Sequence, residues 1–284
     1  YVHRSTNGGA SWTVISPDLT ANPPERQMAS GDPITIDATG EEVYSTLYAI
    51  RESRVKPGVI WAGSNDGLIH VTRDGGKNWT NVTPRDLPPG GRVQNIEPGV
   101  RAAGTAYVAV HRYLLGDFAP YLYRTDDYGV SWTRIADGRN GIAADEPVRV
   151  VREDPERPGL LYAGTEFGMH ISFDRGAHWQ SFQIDLPATP VTDIRLAHGD
   201  LVLSTQGRGF YVLDNLAPLR QLPAPGTADG PRLYKPAVAI RINADADKGG
   251  NPKEGPEYPL PGAQIDYHLP ASAAGQTLRI TILD

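Results

Sequence analysis

The sequence predicts an all-β fold assembled from one repeated unit of four short antiparallel strands, and three observations predict it. An eight-residue template, Ser/Thr-x-Asp/Asn-x-Gly-x-x-Trp, occurs four times: "STNGGASW" (5–12), "TRDGGKNW" (72–79), "TDDYGVSW" (125–132) and "SFDRGAHW" (172–179). The text between the copies repeats as well. "RPGLLYAGTEFGMHISFDRGAHWQSF" (157–182) lines up with "KPGVIWAGSNDGLIHVTRDGGKNWTNV" (56–82), and more loosely with residues 102–135. Finally, 31 Gly and 25 Pro among 284 residues divide the chain into short runs rich in Val, Ile, Tyr and Leu, which leaves no room for long helices.

Trp12, Trp79, Trp132 and Trp179 are 67, 53 and 47 residues apart. The shorter intervals approach the ~40–50 residues of a four-stranded blade, so the predicted architecture is a β-propeller. Taken in order, the chain opens on a C–D piece that ends in the first turn, and three full repeats follow. In the third, strand A is "VRVVRED", B is "LLYAGT", C is "GMHISF" and D is "HWQSF". Residues 191–215, "VTDIRLAHGDLVLSTQGRGFYVLDN", supply A, B and C of a last blade whose turn lacks the Gly and Trp. About four blades are thus expected over 1–217, as the C-terminal part of a larger propeller. Residues 218–232 read as a Pro/Gly-rich linker. Residues 233–284 read as the start of a β-sandwich domain, with strand-like "AQIDYHL" and "QTLRITILD" following a polar loop at 243–258.

Composition removes several function classes. A formal charge of −6 offers no electrostatic footprint for nucleic acid, and no basic run or amphipathic helix suits a membrane surface. No apolar stretch is long enough for membrane insertion. The chain has no cysteine, which excludes thiol catalysis, disulfides and Cys-ligated zinc. Its seven histidines form no pair at metal-ligand spacing, and no cofactor or metal is expected.

The repeated acidic turn reads as structure. Asp and Asn accept backbone N–H bonds from residues ahead of them, and the Gly after Asp accepts positive φ without cost. Asn7, Asp74, Asp127 and Asp174 are therefore expected to close hairpins between strands C and D. Accepting N–H bonds lowers a carboxyl's pKa and makes it a poor proton donor, and Asn7 cannot transfer protons at all. Trp12, Trp79, Trp132 and Trp179 follow at a fixed step, where each ring is expected to wedge between neighbouring blades.

This template resembles the Asp-box, or BNR, repeat of sialidase-like β-propellers, which also occurs in sortilin (VPS10-like) receptor propellers and some xyloglucan-active hydrolases. The span 1–216 resembles a bacterial group of BNR-repeat proteins often labelled glycosyl hydrolase, with "QGRGFYVLDNLAPLRQL" similar to that group's propeller ending. The resemblance implies a secreted, periplasmic or cell-envelope location and a glycan or protein/peptide ligand. A sialidase would also bring three arginines, a Tyr nucleophile with a Glu partner and an Asp acid. Its Arg-Ile-Pro signature is absent from these residues.

If the acidic turns are C–D turns, function is expected at the opposite rim, where the B–C loops and D–A connections emerge. The B–C segments "SNDG" (64–67), "HRYLLGDFAP" (111–120), "TEFG" (165–168) and "TQGRG" (205–209) offer Asn65, His111, Arg112, Tyr113 and Arg208 as ligand-binding candidates, with Asp117 beside them. Asp66 and Glu166, in equivalent loops two blades apart, are the candidate carboxylates for glycoside hydrolysis, which needs a facing pair. Arg112, Arg149 and Arg208 are the candidate arginine cluster; strand A adds Glu97, and the D–A connections add Asp32 and the Asp145–Glu146 pair. The leading expectation is a noncatalytic propeller binding a glycan or protein ligand. A glycoside hydrolase is the alternative, and a sorting or assembly scaffold is a further one.

Overall fold

A computed structural model of the chain describes residues 1–28, 44–223, 230–239 and 262–282. Three sheets of four strands follow in chain order. The first is β3 (Leu47–Glu52), β4 (Ile60–Ser64), β5 (Ile69–Thr72) and β6 (Thr80–Asn81). The second is β7 (Arg92–Pro98), β8 (Ala106–His111), β9 (Tyr121–Thr125) and β10 (Thr133–Ala136). The third is β11 (Val148–Glu153), β12 (Leu161–Thr165), β13 (Met169–Ser172) and β14 (Gln180–Ser181). A two-stranded piece, β1 (His3–Arg4) with β2 (Thr13–Val14), precedes them, and β15 (Val191–Ala197), β16 (Asp200–Thr205) and β17 (Phe210–Leu213) form a three-stranded sheet. Neighbours are antiparallel, and the innermost strands of successive full sheets pack on one another. The fold is an all-β propeller of four-stranded antiparallel blades.

The repeat extends to irregularities. Each full blade carries a bulge at the same place in strand A, between Leu47 and Ala49, Val93 and Asn95, and Val148 and Val150. Strand B carries the matching glycines Gly63 and Gly164, and there the neighbouring blade comes too close for a side chain. A Cβ at Gly63 would lie 2.3 Å from Val93 Cγ1, and one at Gly164 2.7 Å from Val191 Cγ1. The apolar residues fill the gaps between blades. Val2, Leu19, Ala62, Ile15 and Trp79 fill the first; Trp61, Val93, Ile96, Tyr123 and Trp132 the second; Tyr107, Leu122, Ile135, Leu161 and Trp179 the third.

The four acidic turns share one hydrogen-bond network. Oδ1 of Asn7, Asp74, Asp127 and Asp174 accepts the N–H of the residue four further on at 2.9 Å. It also accepts the hydroxyl two residues earlier, from Ser5, Thr72, Thr125 and Ser172, at 2.8 to 3.0 Å. That hydroxyl in turn accepts the N–H of Gly9, Gly76, Gly129 or Gly176. The bond from the Asn78 N–H is the largest of several that hold the Asp74 carboxyl down at about 2. The residue after the acid is left-handed in every copy, with φ of 67° at Gly8, 74° at Gly75, 63° at Tyr128 and 62° at Arg175. Where it is not glycine, the side chain reaches back to the preceding turn: Tyr128 lies 4.1 Å under the Arg73 guanidinium, and Arg175 pairs with Asp126.

Each tryptophan ties its turn to the blade before. Nε1 of Trp79, Trp132 and Trp179 donates to the carbonyls of Ile15, Val82 and Ile135 at 2.8, 2.6 and 2.6 Å. Each acceptor lies three residues after the preceding tryptophan. Trp12 departs from the expectation. It is 62% exposed, because no described blade flanks it on that side and its ring has no neighbouring core to enter.

The chain divides into two compact units, residues 1–195 with 203–211 and residues 196–202 with 212–284. In the second, the described residues hold α1 (Ala217–Arg220) and one antiparallel pair, β18 (Arg232–Leu233) with β19 (Tyr267–His268). Of the two runs expected as strands, "AQIDYHL" contributes β19, whereas residues 276–282 form no strand. Residues 243–258 lie outside the described residues, as does Asp32.

Candidate functional site

Backbone bonds fix which turns share a rim. The N–H groups of Gly75, Tyr128 and Arg175, in C–D turns, donate to the carbonyls of Gly58, Gly104 and Gly159, in A–B turns, at 2.9 Å each. The B–C loops therefore emerge at the opposite end, as antiparallel order requires.

Loops from neighbouring blades meet there. Glu166, in the β12–β13 turn, accepts a 2.7 Å bond from Arg149 Nε on β11. His111, the last residue of β8, brings Nε2 to 2.9 Å from the same carboxylate oxygen, as an ion-pair contact rather than an aligned hydrogen bond. Arg149 also reaches Gln206, in the β16–β17 turn, at 3.4 Å. Four groups from three blades thus form one cluster. Its orientation follows from the turn: Glu166 N–H donates to the Pro147 carbonyl, and the N–H groups of Phe167 and Gly168 donate to Thr165 Oγ1.

Glu166 and His111 are both held below their usual values, for different reasons. Burial opposes charge on Glu166, but the contacts from His111 and Arg149 outweigh it and hold its carboxyl below the usual value. Burial pushes His111 down, and the Glu166 contact only partly restores it. The imidazole edge meets the Tyr113 ring at 4.4 Å between centroids.

The other candidates have local partners. Asp66 is 4% exposed; it accepts the Ala21 N–H at 2.8 Å and a short bond from the Ser64 hydroxyl. Asn65 Oδ1 accepts the Thr46 N–H at 2.8 Å. Arg112 donates to the carbonyls of Pro88, Pro89 and Gly90 at 2.9, 2.7 and 2.8 Å and to Asp117 at 2.7 Å, so its guanidinium holds the long β8–β9 loop to the preceding connection. The backbone of Arg208 bonds Thr205 Oγ1, and its residue is exposed. Among the described residues, no hydrogen bond or ion pair joins Arg112, Arg149 and Arg208. Glu146 bonds Thr165 and His170 at 2.6 and 2.8 Å, closing a separate pocket of polar groups.

Sequence reasoning missed the apolar part of this rim. Phe167 is 54% exposed beside Glu166, and Leu114, Leu115 and Phe118 in the β8–β9 loop are 71%, 49% and 53% exposed. Large apolar residues in loops longer than a turn requires were the available signal.

No family model matches the chain. A stretch of 116 residues, 39% of the chain, is 32% identical to the oligoxyloglucan-reducing end-specific xyloglucanase of Emericella nidulans; the chain spans 13% of that protein's length. Among solved structures, YCF48 bound to D1 peptide is similar with a TM-score of 0.44 and 18% identity, over 60% of this chain and 52% of that one. The GH74 enzyme of Niastella koreensis is similar with a TM-score of 0.47 and 16% identity, over 61% and 29%. The fold assignment rests on the chain's own sheets.

Proposed function

We propose that the chain is a noncatalytic binding propeller of the Asp-box kind that takes a glycan on its B–C rim. The observation that carries this reading is the Arg149–Glu166–His111–Gln206 cluster with Phe167 exposed beside it. Sugar recognition needs an apolar ring for the pyranose face and fixed polar groups for hydroxyls, and the rim offers both. The local identity to a xyloglucanase makes a β-glucan backbone of the xyloglucan type the first ligand to test. The same reading places the chain in a secreted or envelope-associated bacterial protein, with blades over 1–217, a linker over 218–232 and a β-sandwich from 233.

That identity also supports the second reading, a glycoside hydrolase. Hydrolysis needs one carboxyl that donates a proton and a second facing it. Despite burial, the Glu166 carboxyl is held below its usual value by His111 and Arg149, which makes it a poor proton donor, and Asp66 is buried with its oxygens taken by the Ala21 N–H and the Ser64 hydroxyl. Isothermal titration of the full chain with xyloglucan oligosaccharides, alongside a reducing-end assay, separates the two. Saturable binding without product release is expected; product release that disappears in Glu166→Gln establishes the hydrolase instead, and absence of binding removes the glycan reading. A peptide ligand or scaffold role then takes its place.

A further inference from the structure

The innermost strands carry a second charged group, toward the A–B end. Arg51, Glu97 and Arg152 occupy one register position in three successive blades, opposite Trp61, Tyr107 and Tyr162 of strand B. Aligning "VTDIRLA" with "VRVVRED" puts Arg195 at that position in the next strand A, so the series reads Arg, Glu, Arg, Arg. Arg152 is the floor. Its side chain is 5% exposed and contacts Glu97 at 3.4 Å, Asp193 through a short bond, and the Ile194 carbonyl at 2.8 Å. Around it lie Arg195, half-paired with Asp193 at 3.3 Å, and Arg51, whose guanidinium donates to the Ile50 carbonyl and pairs with no carboxylate among the described residues. Arg54, exposed in the adjoining A–B turn, likewise has no carboxylate partner there.

The charges act on one another. The guanidinium groups of Arg152, Arg54, Arg51 and Arg195 all favour the ionised form of Glu97, yet burial prevails and lifts its carboxyl. Among the described residues, four cations thus gather around two carboxylates, those of Glu97 and Asp193. In a protein of net charge −6 this is a local reversal of sign, and walls of packed strands focus such a field. Blade packing accounts for Arg152, which links three strands. It does not account for Arg51 and Arg54, whose guanidinium groups bridge to no second strand among the described residues.

We propose that Arg51, Arg54 and Arg195, over the Arg152–Glu97 floor, form a binding site for a small oxyanion, a carboxylate or a phosphate-like group. Guanidinium forks match planar and tetrahedral oxyanions alike, and here the exposed Arg54 and Arg195 and the half-buried Arg51 stand over a buried ion pair. This site lies at the opposite end of the blades from the proposed glycan rim and is independent of it.

Titrate the full chain with inorganic phosphate and, separately, with glucuronate, holding ionic strength constant with chloride. Saturable binding of either, with a matching rise in Tm, is expected, and phosphate against glucuronate distinguishes the tetrahedral from the planar source. Arg51→Gln combined with Arg54→Gln should weaken that affinity by about tenfold or more, a loss of ~1.4 kcal/mol. Arg208→Gln, on the far rim, should leave it unchanged. The proposal is overturned if chloride alone reproduces the effect, if neither anion saturates, or if the double variant binds as the parent does; near-ultraviolet circular dichroism confirms that the variant is folded.

Discussion

At the C–D end of the blades, four turns from four repeats hold the same hydrogen bonds, side chain included, to within 0.2 Å, whereas at the B–C end three loops share a backbone frame, with the N–H of Asn65, Glu166 and Gln206 donating to the carbonyls of Thr46, Pro147 and Pro190, but differ in the charged side chains they bring together. The first end repeats because it has one problem to solve, reversing the chain and fixing one blade on the next. The second is released from that problem. There Ser64 binds Asp66, Thr165 binds Glu146, and Glu166 faces Arg149 and His111. Two equivalent hydroxyls with carboxylates from non-equivalent positions show what the difference teaches: the scaffold fixes where side chains emerge, and the loops decide what meets.

The largest expected effect lies at the repeating end. Trp179→Ala removes a 5% exposed ring and its bond to Ile135, and should cost ~3–5 kcal/mol in urea denaturation. Trp12→Ala, at the same template position but exposed, should change stability by less than ~0.5 kcal/mol. Equal losses would break the claim that these rings act only between blades. Next, Glu166→Ala strands Arg149 beside a half-buried rim and should cost ~1–2 kcal/mol, with the His111 imidazole losing the contact that raises its pKa, as followed by NMR titration.

A smaller effect sharpens the comparison through pH. The Asp74 carboxyl is held down at about 2 in the folded chain against an ordinary 3.8, so its contribution is present above about 3.8 and is lost as pH falls toward 2. Asp74→Asn keeps the bonds to Oδ1, as Asn7 does, but loses the one Oδ2 accepts from Asn78; it should lower stability modestly above about pH 3.8 and flatten acid denaturation over that window. An acid transition as steep in the Asn variant as in the parent would mean that Asp74 is not the group that titrates there.

The repeating end was legible in the sequence because its chemistry is local. Oδ1 of Asp127 and the N–H of Ser131 are four residues apart, and the spacing that joins them is printed in the text. The blade order was legible for the same reason. The rim was only partly so. His111 and Glu166 were both singled out, but their contact spans 55 residues and depends on how two blades twist, which no local spacing encodes. The three backbone carbonyls that the Arg112 guanidinium engages carry no sequence signature either. Trp12 looked buried because its template is complete, although burial also needs a neighbour.

The central claim, that the C–D turns are structure and the B–C rim is recognition, is tested most directly by calorimetric titration of xyloglucan oligosaccharide into Phe167→Ala and Asp127→Asn side by side. The account predicts that the Phe167 variant keeps the parent's stability and loses about tenfold or more in affinity, while the Asp127 variant binds as the parent does. Full binding by the Phe167 variant, together with lost binding by a folded Asp127 variant, would contradict it.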